Sequence, residues 1–335
     1  WLHKQPLTLW CIAFSLSAFG INEIALRLPS ILLSTAGIYL TYFIADRLYG
    51  KKIALLASFL FSINGLIIEL TAGRVATDHV DIFFLFFIEL AIALSVKYFK
   101  DGNKKQFNIL CGISIGLAIL TKWLPALIVL PIWILLGLHS GKNLKQLLIP
   151  FITVCSATII TFLPWQIYIF NAFPKEALWE NLYNLKHIDE AIENHLHSFW
   201  YHFDIMRIVY GETIYLPLVW FVYKTFKRKW KLKNMALLVW VLIPFLFFSF
   251  AKTKMPAYTL FTAPALFIFT SLFFRYLNIY KKRFRYKWMI NSILILFIAL
   301  PARYAIERVK PFQYRDRSPA WAQELKQLNS FLSNK

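Results

Sequence analysis

Long apolar runs recur along this chain from residue 31 to residue 300, and they restrict the possible folds more than any other feature. Hydrophobic residues make up 59% of the chain and aromatic residues 18%, and the mean hydropathy is +0.55. Soluble domains are about half apolar and carry fewer aromatic residues. A backbone inside hydrocarbon must satisfy its own hydrogen bonds, as an α-helix does. The sequence therefore predicts an all-α polytopic membrane protein.

Ten segments have the apolar character of membrane-spanning helices. They are 28–46, 53–70, 80–96, 107–121, 123–138, 146–170, 206–223, 234–250, 256–274 and 288–302. Residues 107–138 fit either one long helix or a hairpin broken at the sequence TKWLP. A shorter apolar segment, 7–19, follows Pro6, a residue that favours the first turn of a helix. We expect this segment to be an interfacial helix in the first exoplasmic loop.

The distribution of basic residues selects the hairpin and sets the orientation. With two spans in 107–138, alternate loops contain DRLYGKK, KYFKDGNKK, HSGKNLK, KTFKRKWKLK and RYLNIYKKRFRYK, which hold 21 of the 37 basic residues. All five loops then lie on one side, which the positive-inside rule makes cytoplasmic. A single span would place the two most basic loops outside. The net charge of +20 thus reflects membrane topology and not nucleic-acid binding.

The exoplasmic side gathers most of the acidic residues and six of the seven histidines. Polar chemistry is therefore expected on that face, where no ATP is available. A reaction there needs an activated substrate that the membrane itself delivers.

Five cations from four separate segments lie on this predicted outer face, which the positive-inside rule depletes of cations. They are Lys4, Arg74, Lys122, Lys252 and Lys254. Together they suit an anionic phosphate or pyrophosphate. For a lysine taken singly, an interfacial anchor with its stem in the apolar region is the alternative interpretation.

The sequence TAGRVATDHVDIFF places charged residues at the outer end of the third span. Asp78 and Asp81 are three residues apart and share a helix face, with His79 between them. Charged side chains where a helix enters the membrane are energetically costly, unless they have a functional role or are solvated. The alternative is a hydrated helix cap at Thr77 or Asp78.

A histidine-rich stretch, NLYNLKHIDEAIENHLHSFWYHFD, lies in the longest polar segment between spans, 171–205. Clusters of histidine and glutamate can bind zinc, but no pair here has the H-E-x-x-H spacing. Spacing alone favours a solvated loop.

Several of these motifs, in the same order, resemble the glycosyltransferase-C enzymes of the protein O-mannosyltransferase and aminoarabinose-transferase type. The stretch HKQPLTLW…FGINEIALRLPS is similar to the family's KPPL…W…FG…E…ARLPS, and GRVATDHVD to R-x-A-T-x-D. GLAILTKWLP resembles GLA-x-LTKG, FLPWQIYI resembles PW-Y, and FSFAKTKMPAYTLFTAPAL resembles S-x-x-K-x-K-x-P-x-Y-x-L-x-x-x-P. Each motif is weak alone, and five in sequence are fairly specific.

The resemblance implies a glycosyltransferase-C-type bundle in the bacterial inner membrane with its active face in the periplasm. It implies inverting transfer of a sugar from a polyprenyl-phosphate carrier to a protein, lipid or glycan acceptor. By the resemblance, Lys4 contacts the carrier phosphate and Lys122 and Lys254 line its site. Asp78 is then an acceptor-side carboxylate, and the rest of the substrate-binding set is Arg74, His79 and Lys252.

The resemblance leaves the cofactor open. No cofactor is required for this reaction, and a divalent metal is an alternative because His187 falls near the histidine that binds a metal in the aminoarabinose transferases.

Three departures from the family pattern stand out. Gln5 replaces the family's first proline, and Trp123 replaces the usual glycine after the lysine. The family's acidic motif lies upstream of KPPL, so the main catalytic base is expected before Trp1.

We expect a transmembrane domain over 1–302 and an exoplasmic tail over 303–335, the possible start of a further domain. Two other classes of function remain open. A transporter or flippase for a lipid-linked anion would need charge near the bilayer midplane, where Glu89 is the acidic candidate. A non-catalytic membrane subunit is the other.

Overall fold

The computed structural model describes residues 4–72, 80–190, 195–227, 231–310 and residue 327. Within these ranges the chain forms helices and one isolated bridge, between Leu196 and Thr253, but no strand. The α-helices in the first half are α1 (Pro6–Phe19), α2 (Glu23–Tyr49), α3 (Lys51–Ser62), α4 (Gly65–Thr71), α5 (Val80–Lys100), α6 (Lys105–Lys122) and α7 (Val129–His139). Those in the second half are α8 (Leu144–Ala172), α9 (Pro174–Asp189), α10 (Tyr201–Tyr210), α11 (Tyr215–Lys227), α12 (Leu232–Phe250), α13 (Ala263–Tyr280) and α14 (Lys287–Val309). Short 3₁₀ helices cover Leu124–Ile128, Pro256–Thr262 and Lys281–Arg283.

The predicted all-α membrane architecture is confirmed, although the count of ten spans is not. Among the described residues, six helices are long and apolar enough to cross a membrane, or eight if each of two bent pairs is one span. The bends are 54° between α3 and α4 and 113° between α10 and α11. Asn64 explains the first bend, because its side chain accepts a hydrogen bond from the Ile67 amide and donates one to the carbonyl of Val209. This cap starts α4 as a new helix.

The hairpin predicted in 107–138 is confirmed. The indole of Trp133 in α7 donates to the Asn108 side chain at the start of α6, at 3.0 Å, so the chain folds back on itself. The two helices meet at Trp123, whose φ of +72° ends α6.

Helices α6 and α8 run in the same direction and pack closely through two glycines. A Cβ atom on Gly112 would lie 2.4 Å from the carbonyl oxygen of Val154, and one on Gly116 would lie 2.5 Å from the Cβ of Thr161. From the first contact to the second, the residue numbers rise in both helices, from 112 to 116 in α6 and from 154 to 161 in α8. The outer end of α6, at Lys122, is therefore level with residues near Gln166 of α8.

One end of the bundle gathers the basic loops. Lys100 donates to the carbonyl of Arg47, and Lys233 donates to the carbonyl of Leu48 at 2.6 Å. The hydroxyl of Tyr49 donates to Asn234 at 2.8 Å. Three of the five basic loops that the positive-inside rule assigns to the cytoplasm thus meet at the same end of the fold.

The other end contains α1, α9 and the end of α14. Pro6 occupies the first turn of α1, as expected, and α1 exposes apolar residues such as Trp10 and Phe14. Helix α9 lies in the predicted outer loop and exposes Trp179 and three leucines. Helix α14 extends to Val309, beyond the boundary at 302 expected for the membrane domain.

Helix α14 is joined to the short helix α4 by a buried ion pair. Arg308 contacts the carboxylate of Glu69, which is 1% exposed. Gly65 makes room for this contact, since a Cβ there would lie 3.2 Å from the carbonyl of Tyr304. Helix α14 therefore stabilises the outer half of the broken pair α3–α4.

Candidate functional site

A buried ion pair forms the centre of the outer end of the bundle. The ammonium of Lys122, the last residue of α6, contacts the carboxylate of Asp81 in the first turn of α5. Both charges suit their positions, because a helix start favours an anion and a helix end favours a cation. Asp81 is 8% exposed, so the pair lies mostly out of solvent. The result is a fixed cation at the depth where the sequence predicted phosphate contacts.

A third segment reaches the same point. The Nζ atom of Lys122 lies 4.6 Å from the centre of the Tyr258 ring, at a cation–π distance. Tyr258 belongs to the 3₁₀ helix Pro256–Thr262, and its ring packs on Phe248 of α12. Lys122 is thus held between α5, α6 and the segment before α13.

The backbone next to Lys122 adopts a conformation that glycine usually occupies. Trp123 has φ +72° and ψ −151°, a region that residues with a Cβ atom rarely enter. The glycine expected at this position from the family pattern would adopt it without a steric penalty. Backbone strain at Trp123 therefore lies directly after Lys122. Strain of this kind is commonly found next to functional residues.

Lys4 lies at the same depth as Lys122. It is exposed and precedes α1, and its neighbour Gln5 accepts a hydrogen bond from Gln166 of α8 at 3.3 Å. The register of α6 against α8 places Gln166 level with the end of α6. Trp10 of α1 also packs edge-on against Trp165, with ring centres 5.2 Å apart. The structure thus brings the start of α1 to the level of the ion pair.

Lys254 is buried next to the site. Lys254 is 3% exposed, and its amine donates to the carbonyls of Ala251, at 2.5 Å, and His197, at 3.3 Å. Burial, and then the charge of Lys252, lower the pKa of Lys254. Its neighbour Lys252 is exposed. Lys254 therefore contacts backbone oxygens at the border of the site, whereas Lys252 faces outward.

Backbone hydrogen bonds attach the histidine-rich segment to this lysine segment. The amides of Lys252, Thr253 and Lys254 donate to the carbonyls of Ile188, His187 and His195, at 3.0, 3.1 and 3.1 Å. The hydroxyl of Thr253 donates to the carbonyl of Glu190 at 3.0 Å. We call the two paired segments, 187–197 and 251–254, the outer clasp; residues 191–194 within it lie outside the described part of the chain.

The predicted metal ligand His187 lies at the start of the outer clasp. Its Nδ1 atom is 3.0 Å from the carbonyl of Tyr183, one turn earlier in α9. In the part of the chain that the structure describes, no group of three histidine, cysteine or acidic side chains is arranged to hold a metal ion. The described contacts of His187 therefore supply a helix-end hydrogen bond and do not provide a ligand set.

An apolar groove of about 420 Å³ opens beside α1. Its walls come from α1, α2 and α5, and they include Trp10, Phe14, Leu32, Phe83 and Phe87. Ser15 fixes α1 against α2 by donating to the carbonyl of Ala25 at 2.6 Å. The helix that follows Lys4 therefore also forms one wall of a site suited to a hydrocarbon chain.

Three predicted site residues, Arg74, Asp78 and His79, lie outside the described residues. The described chain resumes at Val80, directly before Asp81. The sequence places Asp81 on the helix face of Asp78 and does not indicate that it is the partner of Lys122. The signal that indicates it is a carboxylate in the first turn of an otherwise apolar span. Tyr258 is the tyrosine of the family motif that contains Lys252 and Lys254, but nothing in the sequence indicates that its ring lies against Lys122.

The chain is similar in sequence to several known proteins. The family model described as dolichyl-phosphate-mannose-protein mannosyltransferase matches residues 3–168. A protein of Aquifex aeolicus (strain VF5) is 31% identical over 281 residues, which cover 81% of this chain and 53% of that protein. The undecaprenyl phosphate-alpha-4-amino-4-deoxy-L-arabinose arabinosyl transferase of Enterobacter sp. (strain 638) is 28% identical over 270 residues, 78% of this chain and 47% of that protein.

Two solved structures share the fold. ArnT from Cupriavidus metallidurans, bound to undecaprenyl phosphate, matches with a TM-score of 0.65 at 17% identity, over 82% of this chain and 50% of that one. The archaeal oligosaccharyltransferase AglB from Archaeoglobus fulgidus, in complex with an inhibitory peptide and a dolichol-phosphate, matches with a TM-score of 0.62 at 14% identity, over 91% and 47%. The chain spans about half the length of the curated relatives that it matches.

Proposed function

We propose that this chain, which belongs to the glycosyltransferase-C superfamily, is the membrane part of an enzyme that transfers a sugar from a polyprenyl phosphate to an acceptor. The reaction takes place on the exoplasmic face of the bacterial inner membrane. The acceptor is a protein, lipid or glycan. The observation that carries the proposal is the fixed cation Lys122, which Asp81 and Tyr258 hold at the outer end of the bundle.

The chemistry of the donor explains the need for this cation. A sugar on a lipid phosphate already carries a good leaving group, so the enzyme must stabilise the negative charge that develops on the departing phosphate. An ammonium group held in place before the reaction does this without reorganisation. Lys122 supplies the fixed charge, and Lys4 supplies a second charge at the same depth. We assign Asp81 the role of a positioning residue, because its carboxylate contacts the ammonium of Lys122.

The apolar groove supports the same donor. A polyprenyl chain attached to a phosphate needs an apolar surface that begins at the phosphate site. Lys4 directly precedes α1, and α1 forms one wall of the groove. The headgroup and the chain of one donor molecule therefore find adjacent sites on the same helix.

Deprotonation of the acceptor requires a general base, a role that a carboxylate can fill. We assign an acceptor-side role to Asp78, together with Arg74 and His79 in the substrate-binding set, on the basis of the family motif. A divalent metal is not a required part of this mechanism. His187 is the residue to examine if one takes part.

A transfer assay with the full-length protein tests the proposal. The assay follows a labelled sugar from undecaprenyl phosphate-linked aminoarabinose to acceptor in membrane vesicles. Asp78→Asn keeps any capping role, since asparagine caps a helix as well as aspartate. We expect the rate to fall at least about tenfold, or roughly 1.4 kcal/mol. Glu176→Gln, an exposed change in the first turn of α9, is the matched control.

The assay separates the proposed enzyme from the alternatives. A rate that Asp78→Asn leaves unchanged would return Asp78 to a capping role. No transfer by the wild-type protein to protein, lipid or glycan fractions, with donor binding intact, would instead favour a lipid-linked anion carrier or a non-catalytic subunit.

A further inference from the structure

A second cavity, at the opposite end of the bundle, has a different chemistry. It has a volume of about 300 Å³ and lies between the ends of α2, α11, α12 and α13. Its lining includes Tyr49, Lys224, Lys231, Lys233, Asn234 and Tyr276. It is thus basic and aromatic, in contrast to the apolar groove beside α1.

Aromatic rings hold two of the three lysines in place. The Nζ atom of Lys233 lies 4.4 Å from the centre of the Tyr49 ring and donates to the carbonyl of Leu48. The Nζ atom of Lys224 lies 5.1 Å from the centre of the Tyr276 ring. Neither contact neutralises the charge of the lysine. Among the described residues, the cavity lining contains no carboxylate.

This concentration of positive charge has an electrostatic cost unless an anion shares the cavity. Lysines on neighbouring helix ends repel each other, and the nearby loops add further basic residues of the same sign. Each of the three ammonium groups carries three N–H bonds, so together they can donate several hydrogen bonds to a bound anion. The site therefore suits a phosphate-type anion with several acceptor oxygens.

An exposed apolar stripe on α11 leads away from the cavity. Leu216, Val219, Tyr223 and Phe226 are each at least 50% exposed and are spaced three, four and three residues apart on one helix face. Lys224 belongs to the same helix and lines the cavity. A ligand with a charged head in the cavity would therefore place apolar chains along this stripe.

We propose that this cavity binds the headgroup of an anionic phospholipid of the cytoplasmic leaflet. The basic loops assign this end of the bundle to the cytoplasm. That leaflet carries anionic lipids, and basic pockets between membrane helices on that side suit their headgroups. This site is separate from the donor site, and its occupant has a structural role in seating the bundle in the membrane.

The test measures stabilisation of the purified full-length protein by lipid. The melting temperature in detergent is followed by tryptophan fluorescence while dioleoyl phosphatidylglycerol is added, with dioleoyl phosphatidylcholine as the neutral lipid. Inorganic phosphate at the same concentration distinguishes a lipid site from a site for a soluble anion. We expect a rise in Tm with phosphatidylglycerol only, and we expect added salt to reduce it.

Two sets of substitutions locate the effect. Removing the cavity lysines, as Lys224→Gln, Lys231→Gln and Lys233→Gln together, should raise the half-saturating phosphatidylglycerol concentration on the order of a hundredfold at about 0.15 M salt, since each basic residue contributes about fivefold. Lys224→Gln alone should give about fivefold. The matched control removes three exposed lysines of the same face, as Lys104→Gln, Lys105→Gln and Lys282→Gln. The control should bind within about twofold of the wild type, because surface charges away from the ligand are screened.

Three outcomes would overturn the proposal. Equal weakening in the control would show general charge attraction and no built site. Equal protection by inorganic phosphate would assign the cavity to a soluble anion. Unchanged lipid stabilisation in Lys224→Gln, which leaves the Lys233 contacts intact, would exclude the cavity as the lipid site even if the triple variant fails to fold.

Discussion

Asp81 and Lys122 join the first turn of α5 to the last turn of α6, and Asp81 is the buried partner of the pair. Replacing only one residue of an ion pair in this environment destabilises the protein, because the remaining charge loses its partner. The same pair provides the cation on which the proposed chemistry depends. The contact therefore links the stability of the outer end to its function.

The first prediction concerns this pair. Asp81→Asn should lower the stability of the protein by roughly 1–3 kcal/mol, less than for a fully buried pair because Lys122 retains some solvent contact. Lys122→Gln alone should also destabilise. The double variant should be more stable than the sum of the two losses predicts. Thermal unfolding in detergent measures all three variants, and strict additivity would mean that the two side chains do not interact.

The second prediction concerns the turn after Lys122. Trp123 packs against the core but has a backbone conformation suited to glycine. Trp123→Ala removes the indole and keeps the strain, whereas Trp123→Gly removes both. We expect the glycine variant to be more stable than the alanine variant by about 1–2 kcal/mol, the reverse of their order in a helix. An alanine variant of equal or higher Tm would show that this turn carries no strain.

The third prediction addresses the transporter alternative. Glu89 is fully buried in α5 and accepts a hydrogen bond from the hydroxyl of Thr41 in α2. Gly37 leaves room for its carboxyl group, since a Cβ there would lie 3.2 Å from Glu89 Oε2. This geometry indicates a link between two helices. Glu89→Gln keeps the acceptor, so sugar transfer should stay within about twofold of wild type, whereas Glu89→Leu should destabilise by about 1–3 kcal/mol.

A proton-coupled carrier gives the opposite result. It requires an ionisable group at mid-membrane, and glutamine cannot ionise. Loss of function in Glu89→Gln at an unchanged Tm would therefore argue against a purely structural role.

The fourth prediction concerns the outer clasp. Lys254→Met keeps the length of the side chain and removes the hydrogen bonds to Ala251 and His197. We expect hydrogen exchange of the Thr253 and Lys254 amides to become at least about tenfold faster, since each lost hydrogen bond to a charged group contributes about 1.5–3 kcal/mol. Donor binding should weaken less than in Lys122→Ala. For the exchange measurement, the exposed neighbour provides the control variant, Lys252→Met.

A different outcome would restore the original expectation for Lys254. If Lys254→Met weakens donor binding as much as Lys122→Ala, without faster exchange in the clasp, then Lys254 contacts the phosphate directly.

Much of this architecture follows from the sequence, because apolar length and basic loops report directly on the membrane. Both features are local, so they predict the spans, the hairpin at Trp123 and the end of the bundle to which Lys233 belongs. The number of spans is harder to predict. The bend at Asn64 depends on a hydrogen bond to Val209, which is 145 residues away in sequence. A hydropathy pattern contains no information on that contact.

The candidate site, too, could be predicted only in part from the sequence. A lysine at the end of an apolar helix is visible in the sequence, so Lys122 was predicted as a phosphate ligand. Its partners were not, because Asp81 and Tyr258 come from other segments and only packing brings them together. Lys254 is a further case. The resemblance predicts that it lines the phosphate site, and packing adds two hydrogen bonds from its amine to carbonyls of the clasp, which no local sequence pattern indicates.

The most direct test of the central claim is the affinity of the purified full-length protein for undecaprenyl phosphate. Titrations compare the wild type with Lys122→Ala, Lys122→Arg, Lys4→Ala and the double alanine variant, with undecaprenol as the uncharged ligand. The control is Lys175→Ala, an exposed lysine at the start of α9. Loss of a hydrogen bond to a charged group costs about 1.5–3 kcal/mol, so Lys122→Ala should weaken binding roughly 10- to 100-fold.

Arginine at position 122 should restore binding poorly, because a compact ammonium and a planar guanidinium are not equivalent in a fixed space. Lys4→Ala should weaken binding as well, and the two losses should be coupled in the double variant because both lysines contact one ligand. Undecaprenol should bind all variants equally. An undecaprenyl phosphate affinity that Lys122→Ala leaves at the wild-type value would contradict the assignment of this cation to the donor phosphate.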